Sequence, residues 1–476
     1  MTNFERNIGS GDIATLTTEM YLECPYELRE KLEAHDALRF VAYPSGLYPA
    51  SELPTILGAQ TGMDMAWLRD NAHVAMSLYE QGFQTQASAA GRSVLSVLHN
   101  NRNILDTVVN DTSRDVKHLP RLPVRVHGTT LENDHEQRVQ NDSVGYALWF
   151  VSRLMHNGAI EPQAEDLDVL AQTVRYLDRV QFWKDADQGH WEEDSRIHTS
   201  SIGTVLAGVR DTQKVLDHYG YHHDIDIPNI LDKGVNSLYT ILSHGFTDIS
   251  GPALANITAH GQHTWSEHLY PQNPEVKPPL DFDIHHRRYD AALLFLVEPL
   301  GIVQGSWAEK IVRDVEQNLL REKGVARYVG DTYWCPGFKE LLTIEERTTS
   351  AEGRLDLRNA SAAKVAATQT EAQWTLFDPI LSSYWGKRYQ QEGNPEYLEK
   401  QLKHLDRSLS QFTVQPDGNM KLPELYYHEQ ESILDDSFAG SHQFRLEAGD
   451  HTPLLWSQAN LLRALSLFEE NIAQNR

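Results

Sequence analysis

His190-Trp191-Glu192-Glu193-Asp194-Ser195-Arg196 continues through Thr199-Ser200-Ser201 into Gly203-Thr204-Val205-Leu206-Ala207-Gly208-Val209-Arg210-Asp211-Thr212-Gln213-Lys214-Val215-Leu216. The two halves of this stretch follow different rules. From Gly203 to Leu216 apolar residues recur three and four apart, the spacing of one face of an α-helix. Ahead of them lies a polar, aromatic loop in which two adjacent carboxylates follow an indole. Such a loop feeding such a helix recurs along the chain, and this alternation decides the fold class.

Helical spacing is also seen at Ala72 to Tyr79, Ala87 to Leu98, Val144 to Leu154, Leu167 to Val180 and Asn229 to Leu242. In the second half it returns at Ala291 to Val297, Trp307 to Leu319, Glu371 to Trp385, Glu396 to Leu409 and Leu454 to Phe468. About eleven or twelve helices are predicted, and strand alternation is scarce. Long loops rich in Gly, Pro, Asp and aromatic residues separate them at Tyr43 to Gln60, Ser113 to Asn141, Asp185 to Ser201, Asp248 to Arg288 and Arg327 to Phe338. Helices form a rigid scaffold on which loops at one end can converge on a pocket. The expected class is therefore all-α, an α/α barrel. Residues 1–40 read as a helical preamble packed outside, and residues 41–476 as one domain without repeats or linkers.

Composition narrows the function. Lys and Arg number 42 against 67 Asp and Glu, so the formal charge is 42 − 67 = −25, which argues against a nucleic-acid partner. Two distant cysteines, Cys24 and Cys335, suggest neither a disulfide framework nor a zinc site. The adjacent pairs His222-His223 and His285-His286 point to different faces, and no metal or other cofactor is expected. The amino terminus has no apolar signal core and no run of about 18 apolar residues occurs, so neither a membrane span nor export is expected, and the protein reads as cytoplasmic.

The loops carry residues suited to sugars. Hydrolysing an acetal needs a proton donor, an ionised carboxylate and an aromatic wall. Trp191 with Glu192 and Glu193 supplies the wall and a candidate acid, since a carboxyl beside a half-buried indole holds its proton towards neutral pH. Trp67-Leu68-Arg69-Asp70 offers an indole for a pyranose face, fixed guanidinium donors and a carboxylate acceptor. A helix start with Asp70 near the dipole is its plainer reading. Arg138-Val139-Gln140-Asn141-Asp142 is a second cluster, or a helix cap. Arg327-Tyr328 with Asp331, Tyr333 and Trp334 is a third, or a packed loop. A second carboxylate is sought in Phe444-Arg445-Leu446-Glu447-Ala448-Gly449-Asp450-His451-Thr452-Pro453-Leu454-Leu455-Trp456, with Glu447 preferred over Asp450. Glu371 stays open between a buried structural carboxylate and a pocket residue, the former preferred.

In their order, Trp-x-Arg-Asp, Arg-x-Gln-x-Asp, Trp-Glu-Glu, Arg-Tyr-x-x-Asp-x-Tyr and Glu…Pro-Leu-x-Trp resemble glycoside hydrolase family 15, the glucoamylase-like enzymes. Gly46-Leu47-Tyr48-Pro49-Ala50-Ser51, Ala66 to Asn71, Thr199-Ser200-Ser201-Ile202-Gly203 and Leu422-Pro423-Glu424-Leu425-Tyr426-Tyr427 are similar to the amino-terminal domain of the phosphorylase kinase α and β subunits. The resemblance implies an (α/α)6 barrel and inverting, exo-acting hydrolysis of an α-glucoside without a cofactor. It makes Glu192 the general acid and Glu447 the general base. Arg69 and Asp70 would grip the terminal glucose, Glu193, Trp191 and Arg327 would touch substrate, and Trp67 and Trp456 would form walls, with Gln140, Asp142 and Tyr328 nearby. Where the family carries tyrosines, one of them supporting the base, this chain has Gly62-Met63-Asp64-Met65-Ala66, and Met63 cannot donate a hydrogen bond. The substrate expected is a short soluble α-glucoside or oligosaccharide. The kinase likeness keeps a non-catalytic carbohydrate-sensing or regulatory domain as the alternative.

Overall fold

The computed structural model describes residues 25–52, 62–113, 116–134, 139–260, 287–336, 365, 368–430 and 444–473. The first 24 residues of the expected preamble, with Cys24, and also Arg138 and His285-His286, lie outside them. The first helices are α1 (Pro25–Ala34), α2 (Leu68–Glu80), α3 (Gln84–Asn100), α4 (Arg102–Asn110), α5 (Asn141–His156), α6 (Ala164–Val180) and α7 (Thr199–His218). They are followed by α8 (Ile227–Ser243), α9 (Gly251–His260), α10 (Leu294–Val297), α11 (Gly305–Asn318), α12 (Phe377–Glu392), α13 (Pro395–Leu409) and α14 (Leu455–Ala473).

Side-chain burial sorts these helices into two layers. Helix α5 buries nearly every residue from Asn141 to Met155 and α7 nearly every residue from Thr199 to Leu216, as helices enclosed on all sides must. Helices α11 and α13 bury only one stripe. Contacts between the enclosed helices run α2, α5, α7, α10, α12, α14 and back to α2, a closed inner ring. Outer helices α3, α6, α8, α11 and α13 return the chain between them, and α1 packs Leu28 and Leu32 into an outer cluster with Leu405, Leu409, Leu461 and Phe468. The architecture is an (α/α)6 barrel, as expected.

Glycine lets two neighbouring helices of the inner ring approach closely. A Cβ on Gly145 of α5 would lie 2.7 Å from the backbone of Val205, and one on Gly208 of α7 would lie 2.5 Å from the Gly145 carbonyl. The two backbones touch where any side chain would separate them.

Several expectations are corrected. Fourteen helices are present among the described residues, against eleven or twelve expected, because α4 and α9 fall where no helix or only loop was expected. Short antiparallel pairs stitch the loops: β1 (Ala66–Trp67) with β2 (Arg125–Val126), and β3 (Ile197–His198) with β4 (Asp248–Ile249). Strand β5 (Gln373–Trp374) begins the stretch expected as a helix from Glu371, which turns helical only at Phe377. A further pair joins β6 (Thr413–Val414) to β7 (Met420–Lys421), and β8 (Leu425–Gln430) pairs with both β5 and β9 (Phe444–Ala448).

All six inner helices start at one end of the barrel and finish at the other. Arg153, Arg210, Lys214, Lys387 and Arg463 cluster at the finishing end with Glu80 and Glu298, where basic groups suit the negative ends of the helix dipoles. No helix among the described residues is long and apolar enough to cross a membrane. Among the same residues no group of His, Cys, Asp or Glu could hold a metal ion.

Candidate active site

The starting end of the inner ring holds a pocket built from loop residues and first turns. Strand β1 sets Trp67 beside β2, with the Arg125 guanidinium 4.9 Å from its ring centroid. Asn71, one turn into α2, accepts from the Tyr48 amide at 2.7 Å and donates to the carbonyls of Tyr48 and Trp67, which pins the loop before it. Between them Arg69 is 4 % exposed and meets three carboxylates. Its Nη2 donates to Glu192 Oε1 at 3.0 Å, its Nη1 to Asp142 Oδ2 at 3.1 Å, and its Nε lies 3.7 Å from Asp70. Burial pulls its pKa down, but Asp142, Asp70 and Glu192 raise it by more, so the guanidinium stays charged.

The adjacent carboxylates of the Trp-Glu-Glu segment part company at a backbone twist. Glu192 has φ +57°, in the left-handed region that side chains other than glycine's enter at a cost of about 1–3 kcal/mol. The twist sends Glu192 to Arg69 and the pocket. Glu193 goes behind the wall, where it accepts from Arg327 Nη2 at 3.0 Å and Tyr328 Oη at 2.7 Å and pairs with Arg287. Trp191 is held by its Nε1, which donates to Asp290 at 2.9 Å. Arg327, bonded to Asp331, lies 4.8–5.3 Å from the rings of Tyr333, Trp374 and Trp191.

A second carboxylate enters the pocket from the far part of the chain, and it is Glu424, 5 % exposed. It sits in the turn Leu422-Pro423-Glu424 that leads into β8. Its amide donates to the His451 carbonyl at 2.9 Å, and its Oε2 lies 2.8 Å from His451 Nδ1. Tyr333 lines the same pocket. Burial raises its pKa well above the ordinary value, and the charges of Glu424 and Glu192 both add to the rise.

Among the expected residues, Trp67, Arg69, Asp70, Trp191, Glu192, Arg327 and Trp456 line the pocket together. Gln140 and Asp142 are buried but lie behind it, Asp142 as the support of Arg69. Glu193 and Tyr328 lie behind it too. Glu447 is outside: β9 pairs it across from Tyr427, and its side chain, 31 % exposed, bonds Arg445 at 3.0 Å. The geometry therefore does not bring the expected base into the site. Glu371 is outside as well, accepting from Arg321 and from the Gly330 amide. Glu424, His451, Trp374, His190 and Arg125 line the pocket without having been singled out. The motif Leu422-Pro423-Glu424 was the available signal, a carboxylate between a proline and an alternating strand.

Burial governs the titration of this site. It raises Asp70 to about 7 despite Arg69, with Glu192 adding to the rise. It holds His190, which lines the pocket, and His73, whose ring lies 4.5 Å from that of Trp456, well under the ordinary histidine value, with Arg69 adding to both.

This pocket of paired carboxylates and indoles can be set beside known proteins. No curated protein matches the chain. Among solved structures, a wild-type glycosidase is 17% identical with a TM-score of 0.57, over 94% of this chain and 96% of that one. The glucoamylase of Hormoconis resinae is 12% identical with a TM-score of 0.53, over 94% and 74% of the two chains. A bacterial glucoamylase complexed with acarbose is 15% identical with a TM-score of 0.51, over 90% and 53%. These likenesses concern the fold. The sequence model of glycosyl hydrolases family 15 matches residues 35–466, nearly the whole chain, and the protein belongs to that family.

Proposed function

We propose that this protein is an inverting, exo-acting α-glucosidase of the glucoamylase type, releasing β-glucose from a short soluble α-glucoside or oligosaccharide. The observation that carries this reading is the convergence of Glu192 and Glu424, from loops far apart in sequence, on one pocket walled by Trp67, Trp191, Trp374 and Trp456. Inversion requires two carboxyls set about 6.5–9.5 Å apart, so that water can attack the face opposite the leaving group. Neighbours in one segment cannot straddle a sugar, whereas carboxylates from separate loops can.

In this mechanism Glu192, fixed through Oε1 by Arg69, protonates the glycosidic oxygen. Glu424 removes a proton from the attacking water. Arg69 and Asp70, on the first turn of α2, hold the hydroxyls of the terminal sugar, and the indoles stack on its faces. Glu192 keeps the role that the family resemblance gives it, supported by its place in the pocket. Glu424 takes the role that the resemblance gave to Glu447, since only a group in the pocket reaches the water.

The test is incubation with maltose, isomaltose, trehalose and maltotriose while glucose and its anomer are followed. The parent protein should release β-glucose from at least one of them. Glu192→Gln and Glu424→Gln should each lower kcat by at least about 100-fold, and Glu447→Gln should retain the parent rate. Full activity in Glu424→Gln overturns the assignment of the base. Sugar binding without turnover by the parent protein would favour the carbohydrate-sensing reading.

A further inference from the structure

In the pocket, Glu424 has one hydrogen-bond partner for its side chain among the described residues, and that partner is a histidine. The two residues are joined twice, once through the backbone and once through the side chains. A carboxylate only accepts, so Nδ1 of His451 carries the hydrogen of that bond. His451 is 4 % exposed, lines the pocket itself, and stands edge-on to Trp334 with ring centroids 6.3 Å apart. Its own segment is folded tightly, Thr452 reaching back to the carbonyls of Asp450 and Gly449. Met63, which shares the pocket, has only a thioether to offer.

We propose that His451 is the positioning residue of the base, its Nδ1–H holding one oxygen of Glu424 so that the carboxylate keeps a single orientation towards the attacking water. This inference rests on Glu424 being the base. Nothing covalent passes through the imidazole: water loses its proton to Glu424, and His451 keeps its own. The pair also has an electrostatic side. The charged groups facing His451 are Glu424 and Asp450, and the wall beside it is the neutral Trp334 ring. Burial lowers the pKa of His451, but Glu424 and Asp450 raise it by more, so the net shift is upward.

Two substitutions test the geometric role. His451→Ala removes the donor and is expected to lower kcat roughly 10- to 100-fold, the usual cost of losing a partner that orients a reacting group, with little change in KM. His451→Asn keeps a neutral donor near the place of Nδ1 and should recover most of kcat. The inference is overturned if His451→Ala, folded by circular dichroism, keeps the parent kcat, or if its loss falls on KM alone. Failure of Asn to rescue a folded protein also overturns it.

A substrate-free measurement keeps this inference distinct from the reading it rests on. NMR titration of the His451 ring, assigned through His451→Asn, should show its pKa falling in Glu424→Gln. An unchanged titration overturns the pairing. Turnover surviving in Glu424→Gln while that pKa falls would remove Glu424 as base and leave the pair a structural one, which overturns the positioning role.

Discussion

Asp70 shows how a single carboxyl links the pocket to stability. Its pKa is raised to about 7 by burial, and an unfolded chain would restore the ordinary carboxylate value. Its contribution to folding is therefore complete below about pH 4 and is lost as pH rises through 7. His73 and His190 act in the opposite sense, since buried neutral imidazoles are favoured above the ordinary histidine value and lose that advantage as pH falls. Comparing a variant with its parent cancels the histidines. Asp70→Asn should show a smaller fall in melting temperature between pH 5 and pH 8 than the parent, by differential scanning fluorimetry; an equal or larger fall would mean that Asp70 is ionised throughout. The sequence made Arg69, Asp70 and Glu192 legible because each sits in a compact motif at a loop–helix junction. It could not separate Glu424 from Glu447. Both precede or end strands of one hairpin, and only the pairing of Tyr427 with Glu447 and the bond from Glu424 to His451 decide which one reaches the pocket.

Among the outer helices, α6, α8 and α13 begin with a side-chain cap, from Gln163 with Asp166, from Asp226 and from Asn394, and α3 and α11 begin without one. Inner α2, α5 and α7 begin with no side-chain cap at Trp67, Gln140 and His198. Their amino termini and positive dipole ends are turned towards a site crowded with carboxylates, where they offset the repulsion among them. Glycine contact between α5 and α7 sets the spacing of these ends. Gly208→Ala should separate the helices and destabilise the fold by about 1–3 kcal/mol, read by urea denaturation; a neutral result would show that α5 moves aside freely. Amphipathic spacing revealed most of the helices because each needs a buried stripe. The two-residue strands and the β8–β9 hairpin stayed hidden, since their partners lie far off in sequence and a pair of residues has no period to read.

At the scale of the molecule, the barrel closes where α14 meets α2. Ser77 Oγ donates to the Ala459 carbonyl at 2.9 Å, and Arg463 bonds both oxygens of Glu80 and reaches Glu298 at 3.3 Å. Glu80 lies at the surface and Glu298 also pairs with Lys387 at 2.6 Å, so neither carboxylate depends on Arg463 alone. Arg463→Leu should cost about 1 kcal/mol while equilibrium unfolding keeps a single transition; two resolved transitions would mean that the ring is not one cooperative unit. The closed ring itself was legible only as a class, because which helix lies next to which is set by long-range packing that no local spacing records.

The position of that seam also orders events in time. Glu192 is made 424 − 192 = 232 residues before Glu424, and Trp456, on the first turn of the closing helix, comes later still. A chain emerging from the ribosome thus displays the Glu192 half of the pocket on an open arc, with the face of α2 that receives α14 bare to water and to chaperones. The pocket has to wait for α14 to dock before its walls are complete, so that the unfinished chain offers no enclosed site.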